Sequence, residues 1–211
     1  MLTDAINIDW SHRPLQLPPT QEIKKALDSS LYGLDKVKEH FLEVAAQVSH
    51  SGTMPKWGIL LSGPAGVGKS MIAQAFAEQM GLPIHRLDMS TTNDIEALTC
   101  SSIIYENGRQ GAILNAPISS NDCRVLFLMQ ELDKLHSGSP VHSSPDSALL
   151  TLMDGCGFVD NYWDIAIPTD QIFCIATCND PDLISAPLRD RFIEIKGPAY
   201  TRDEKAVIFE Q

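Results

Sequence analysis

The chain has 211 residues, 44% of them hydrophobic and 20% charged, with a formal net charge of -11. That balance suits one sizeable soluble domain, with or without appendages, and excludes a disordered chain. An acidic surface repels phosphate backbones, so nucleic acid is not the expected partner, and with no acidic run to make a tail the charge is read as serving solubility.

No stretch is apolar for long enough to cross a bilayer, so no membrane partner is expected. The first ten residues carry Asp4 and Asp9. They lack the basic patch and apolar run of a signal peptide, and the expected location is cytoplasmic. The five cysteines are Cys100, Cys123, Cys156, Cys174 and Cys178. Their number is odd and no C-x-x-C occurs, so they read as buried thiols in a reducing compartment rather than as disulfides or a zinc site. Cys174 and Cys178 are spaced to share one face of a strand.

In chain order, residues 1–19 contain Pro18-Pro19 and read as an arm or linker, and residues 20–211 as the folded unit. Thr20 is placed to cap a short helix with Ile23, Ala26 and Leu27 on one face. A longer helix follows Tyr32-Gly33. Its apolar stripe is Leu34, Val37, Phe41, Val44 and Val48, with Lys36, Lys38, Glu39 and Glu43 on the other side. Gly52 ends it. Strand and helix then alternate. Gly58–Leu61 is a short apolar run; Met71–Met80 is helical and Gly81 terminates it. Ile84–Met89 reads as a second strand. Val125–Met129 and Ile172–Thr177 are apolar throughout, as strands buried on both faces are, and Phe192–Ile195 is a fifth. Ser137–Pro145 reads as a loop and Ser147–Met153 as a helix. The pattern predicts an α/β fold with a mainly parallel five-stranded sheet covered by helices on both faces. Residues 203–211 begin another amphipathic pattern, which suggests a boundary within a longer protein.

Four motifs carry chemistry. Gly63-Pro64-Ala65-Gly66-Val67-Gly68-Lys69-Ser70 matches G-x-x-x-x-G-K-[ST], directly after a strand and before a helix. Its backbone N–H groups and the helix N-terminus can cradle phosphate, with Lys69 on the terminal phosphates and Ser70 on Mg²⁺. Met71 follows at the edge of that cradle. Val125 to Glu131 is a buried strand ending in an acid. Glu131 stands where a water-activating carboxylate belongs, and Gln130 where the metal-orienting acid is usual. Gln130 is neutral, so the site loses a charge beside Mg²⁺. The strand Ile172–Cys178 ends in Asn179, an amide near the attacked phosphate. Arg189 and Arg191 flank Asp190; Arg191 either pairs with Asp190 or reaches a neighbouring subunit's phosphate.

These motifs in this order resemble the AAA+ class of P-loop NTPases, whose large subdomain is a three-layer α/β/α sandwich. The flanks resemble the ATPase module of the Lon protease family: Asp28 to Glu39, Phe127 to Lys134, Phe158 to Tyr162, Ala186 to Phe192, Tyr200 to Lys205, and Ile8-Asp9-Trp10. The family's His stands at Leu31 here, and its Walker B acid at Gln130. The resemblance covers nearly the whole chain. It implies ATP or ADP with Mg²⁺ as ligands, and Tyr32 and Gly33 bordering the adenine. Glu131 would activate water, Asn179 would act as sensor, and Arg191 would act across the interface of a homo-hexamer. Tyr105 would sit on the pore loop that grips unfolded or damaged protein substrates. The family's helical lid and protease domain have no counterpart in residues 1–211. The implied function is ATP hydrolysis powering protein unfolding and translocation towards a protease. Gln130 keeps open a hydrolysis-impaired nucleotide switch or assembly module. A nucleic-acid motor of the same superfamily is disfavoured by the charge and the flanks.

Overall fold

The computed structural model of the protein describes residues 8, 10, 15, 17–92, 95–99, 111–135, 145–155, 157–160 and 165–197. Tyr105, most of the 137–145 loop and residues 203–211 lie outside them.

Among the described residues two helices precede the sheet. α1 (Thr20–Ser30) buries Ile23 and Leu27. Thr20 does not cap it: the first helical turn hangs instead from the Pro19 carbonyl, which accepts from the N–H groups of Glu22 and Ile23. Proline there presets the backbone angle and has no N–H to satisfy. α2 (Asp35–Ser51) buries Val37, Phe41, Val44 and Val48 along the expected stripe and ends at Gly52, whose φ is 72°. Lys38 departs from the expected polar side. It is only 6% exposed, and its Nζ donates to Leu31 O (2.8 Å) and Asp28 Oδ1 (3.0 Å). A lysine can enter a core when its ammonium finds such oxygens.

The sheet comprises β1 (Gly58–Ser62), β2 (Ile84–Asp88), β3 (Val125–Gln130), β6 (Ile172–Cys178) and β7 (Phe192–Lys196), with β4 (Phe158–Asp160) and β5 (Ile165–Ile167) forming a separate antiparallel hairpin. Its order is β2-β3-β6-β1-β7, parallel throughout. Alternate residues of the central strands enter different cores. On one face, Ile59, Leu61, Leu126, Leu128, Phe173 and Ile175 meet α1, α2 and α3 (Lys69–Met80). On the other, Leu60, Val125, Phe127, Met129, Cys174 and Cys178 meet α4 (Ile95–Thr99), α5 (Ala112–Ser120), α6 (Pro145–Met153) and α7 (Ala186–Arg189). Two buried faces explain why these strands read as unbroken apolar runs. The arrangement is the three-layer α/β sandwich the alternation predicted.

Cys174 and Cys178 do share one face, and burial pushes both thiols up to about 12. Among the elements that the sequence reading missed, two have a clear cause. α5 carries Pro117 inside it and is apolar on most sides, so it shows neither periodicity nor a clean boundary. The strands of the β4–β5 hairpin have three residues each, too few for a period-2 signal.

Candidate functional site

Parallel sheets bind ligands beyond the carboxyl ends of their strands, where the connections splay apart. β1, β2, β3 and β6 all end at one such edge, on a cleft of about 230 Å³. Ala65, Gly66, Lys69, Ser70, Asp88, Gln130, Glu131, Thr177, Cys178 and Asn179 line it. A cavity of about 240 Å³ lies at the opposite edge against Trp57, Met153 and Ile172. It has no phosphate cradle and no converging carboxylate and amide, so the chemistry points to the first.

The cradle depends on backbone that side chains would forbid. Gly63 has φ 147°, and a Cβ there would stand 2.6 Å from the Gly197 carbonyl oxygen. Gly68 has φ 84° and is the N-cap of α3, so the helix begins at Lys69 rather than Met71. A Cβ on Gly68 would run into Leu31. That contact seats the α1–α2 connection, which also carries Tyr32 (39% exposed) and Gly33, on the loop at Gly68. Met71 is 63% exposed on α3 and is not part of the cleft wall.

Lys69 Nζ donates to Gly63 O (2.6 Å), Pro64 O (2.8 Å) and Asn179 Oδ1 (3.2 Å). Burial holds its pKa below the ordinary lysine value, opposed by the negative fields of Cys178, Asp133 and Glu131. Gln130 Nε2 donates to Ser70 Oγ at 3.0 Å, which brings the end of β3 onto the first turn of α3. Glu131 follows in the left-handed region at φ 56°, with its N–H on Thr177 Oγ1 at 3.4 Å. A non-glycine residue there stores ~1–3 kcal/mol of strain, a pattern typical of working sites.

Asp133 and Asp88 were not singled out as site residues from sequence. Asp133, 8% exposed, sends Oδ2 to the backbone N–H groups of Asn179 and Asp180, both at 3.2 Å. It therefore fixes the turn that carries Asn179. Its Oδ1 has no hydrogen-bond partner among the described residues. Asp88 ends β2 beside Gln130. A carboxylate at a strand end was visible in the sequence; its neighbour was not.

Arg191 is not brought to the cleft. It precedes β7, and its carbonyl accepts from Gly58 N–H at the opposite edge of the sheet. Its partner is Asp154 (Nε–Oδ1 2.8 Å) rather than Asp190, with Nη1 on Pro187 O at 2.8 Å. Asp154 lies at the end of α6, where Arg191 can meet it without straining the short α7 turn. The pair holds the Asp154 carboxyl below its ordinary range and raises the guanidinium. Arg189 is occupied by Asp182 at 2.8 Å.

Among the described residues no group of three His, Cys, Asp or Glu side chains could hold a metal unaided. The hard oxygens at the cleft, from Ser70, Gln130 and Glu131, fit a magnesium ion that takes its remaining ligands from phosphate and water. No described helix is long and apolar enough to cross a membrane.

The profile of the family described as "ATPase family associated with various cellular activities (AAA)" matches residues 59–197. Lon protease 4 of Sorangium cellulosum (strain So ce56) is 32% identical over 96% of this chain and 25% of its own length. The Lon protease of Leptospira interrogans serogroup Icterohaemorrhagiae serovar copenhageni (strain Fiocruz L1-130) is 32% identical over 97% of this chain and 25% of its own. A peroxisomal Lon protease homolog 2 of Caenorhabditis briggsae is 30% identical over 97% and 26%. The chain thus spans about a quarter of the length of these curated relatives. With the sheet, the loop and the strand-end residues in these places, the chain belongs to the AAA family of ATPases, as an AAA+ module of the Lon family.

Proposed function

We propose that this chain binds ATP or ADP with Mg²⁺ in the cleft above β1, β3 and β6 and hydrolyses ATP there. The observation that carries the reading is the convergence of Lys69, Ser70, Gln130, Glu131 and Asn179, drawn from three separate strand ends, on one cleft. The Gly63–Gly68 backbone would wrap the phosphates. Lys69 would exchange the Gly63 and Pro64 carbonyls for phosphate oxygens and keep its link to Asn179. Glu131 would take a proton from the water that attacks the terminal phosphorus, as the bond to the bridging oxygen breaks and ADP departs. When bound, magnesium neutralises phosphate charge, with Ser70, Gln130 and Glu131 on its protein side. Tyr32 and Gly33 would border the adenine.

In the longer protein we take this module to work in a cytoplasmic homo-hexamer, where hydrolysis drives unfolding and translocation of damaged or unfolded polypeptides. Tyr105 would contact the substrate and Arg191 the neighbour's nucleotide. The extent of the Lon resemblance supports this, as does the distance of Arg191 from its own cleft. One observation favours a second reading, a nucleotide switch that turns over poorly: Gln130 offers Ser70 an amide and no charge.

Calorimetry with ADP tests the core of the proposal. Lys69→Ala removes the mobile cation of the cradle and should abolish binding. Unchanged ADP affinity in that variant would sink the assignment.

A further inference from the structure

Asp88 is a charged residue at the cleft that the reaction just described leaves unused, and the sheet dictates its position. It is the last residue of β2 and the register partner of Gln130, the last residue of β3. Adjacent strands lie about 4.8 Å apart, and partnered residues in a parallel pair project from the same face. The turn after β2 is tied down at this level, because Met89 N–H donates to Gln130 O at 2.9 Å. Asp88 Oδ1 accepts from Ser90 N–H (3.0 Å) and from Ser90 Oγ (2.6 Å). A carboxylate held twice in its own turn has few rotamers left to lose, so it stands ready at the cleft wall beside Gln130 and Ser70.

Apart from Glu131, the other acids nearby do not line the cleft wall as Asp88 does. Asp133 spends Oδ2 on the Asn179–Asp180 backbone. Glu194 accepts from Ser62 Oγ at 2.8 Å. Asp180 Oδ1 accepts from Asp182 N–H. Glu131 is given to the attacking water. That leaves a neutral Gln130 with its amide on Ser70, and a charged neighbour one strand away.

We propose that Asp88 supplies the carboxylate that Gln130 lacks. Gln130 contributes geometry and Asp88 contributes charge, and the two side chains together hold the water ligands of the nucleotide-bound divalent cation. The idea rests on the nucleotide-site reading above and adds to it a residue and a division of labour.

The test is a cation titration on the purified chain, read without turnover. Mn²⁺ uptake in the presence of ADP is followed by electron paramagnetic resonance, and a fluorescent ADP analogue is titrated in EDTA and in Mg²⁺. Asp88→Asn keeps the Ser90 hydrogen bonds and removes only the charge. It should raise the Mn²⁺ midpoint by about tenfold, the lower end of what lost outer-shell partners commonly cost. Binding of the analogue in EDTA should not weaken, since loss of a carboxylate beside phosphates removes repulsion. Gln130→Asp should restore the midpoint in the Asp88→Asn background and change it little in the wild type, since one carboxylate suffices. Ser90→Ala loosens the turn but keeps the charge, and its midpoint should stay near wild type. The proposal is overturned if Asp88→Asn leaves the midpoint where it was, or if Ser90→Ala shifts it as far as Asp88→Asn does. Failure of the wild-type chain to take up the analogue with or without metal is a different result, and it would remove the nucleotide-site reading as well.

Discussion

Lys69 and Asp133 sit on either side of Asn179 and constrain it from opposite ends. Lys69 Nζ reaches the amide oxygen, while Asp133 Oδ2 takes the backbone N–H of Asn179 and of the next residue. Asn179 is thus held by a cation that would meet phosphate and by a buried anion of the same chain. Asp133→Ala removes a buried carboxylate that holds two backbone N–H groups of an exposed turn; water can take its place there, so the loss is the net worth of a hydrogen bond, ~0.5–1.5 kcal/mol. Urea denaturation should show a loss of that size. ATP turnover should fall further than ADP affinity does, because the cradle is intact but Asn179 is no longer held. Equal losses in both would mean that Asp133 serves only general stability. Glu131 and Asn179 were legible as strand-end residues. The role of Asp133 was not, because it depends on a turn from another strand.

At the scale of elements, the α1–α2 connection is where the departures from expectation have a common cause. Leu31 lies on Gly68 of the loop, and Leu34 adopts the left-handed conformation at φ 57° as α2 begins. Lys38 closes the arrangement from beneath by donating to Leu31 O and Asp28. A helical wheel assigns Lys38 to the polar side because it counts only its own helix. The packing of α1 against α2 turns that side into an interface. Lys38→Met removes a charged donor from a buried carbonyl, and hydrogen bonds to charged groups are worth ~1.5–3 kcal/mol. A lower thermal midpoint is expected. Affinity for a fluorescent ADP analogue should also weaken, since Tyr32 and Gly33 ride on the same connection. A variant that loses stability but binds ADP as before would show that the connection does not contribute to the site.

For the whole molecule, the decisive fact is that the two ends of the sheet carry different parts of the chemistry. The cleft is at the carboxyl edge and Arg191 at the amino edge of five-residue strands. At ~3.3 Å per residue the separation is about 15 Å, beyond the reach of an arginine to its own phosphates. On the reading proposed above Arg191 would act on a neighbour, and in this chain it pairs with Asp154. The isolated chain should therefore be mainly monomeric by light scattering at low concentration and hydrolyse ATP slowly. In the assembled full-length protein, Arg191→Ala should lower turnover by ~10³–10⁵, the usual worth of an arginine supplied in trans, with ADP affinity retained. Unaltered turnover of the assembly would reassign Arg191 to a structural pair with Asp154.

Local pattern alone determined the parallel core, the phosphate loop and the identity of Lys69, Ser70, Glu131 and Asn179 as candidates. Each of these is written in contiguous residues: an apolar run of strand length, a glycine spacing, or an acid or amide where a strand stops. Tertiary structure decided what depends on residues distant in sequence. Asp88 neighbours Gln130 because β2 pairs with β3 in one particular register. Lys38 is buried because α1 covers it, and Arg191 meets Asp154 because α6 ends beside α7. α5 formed despite Pro117, since burial of Ile113, Leu114 and Ala116 outweighed a weak local preference. Motif spacing specifies which groups a loop can present. Strand order and register specify which other groups stand opposite them, and no single segment contains that information.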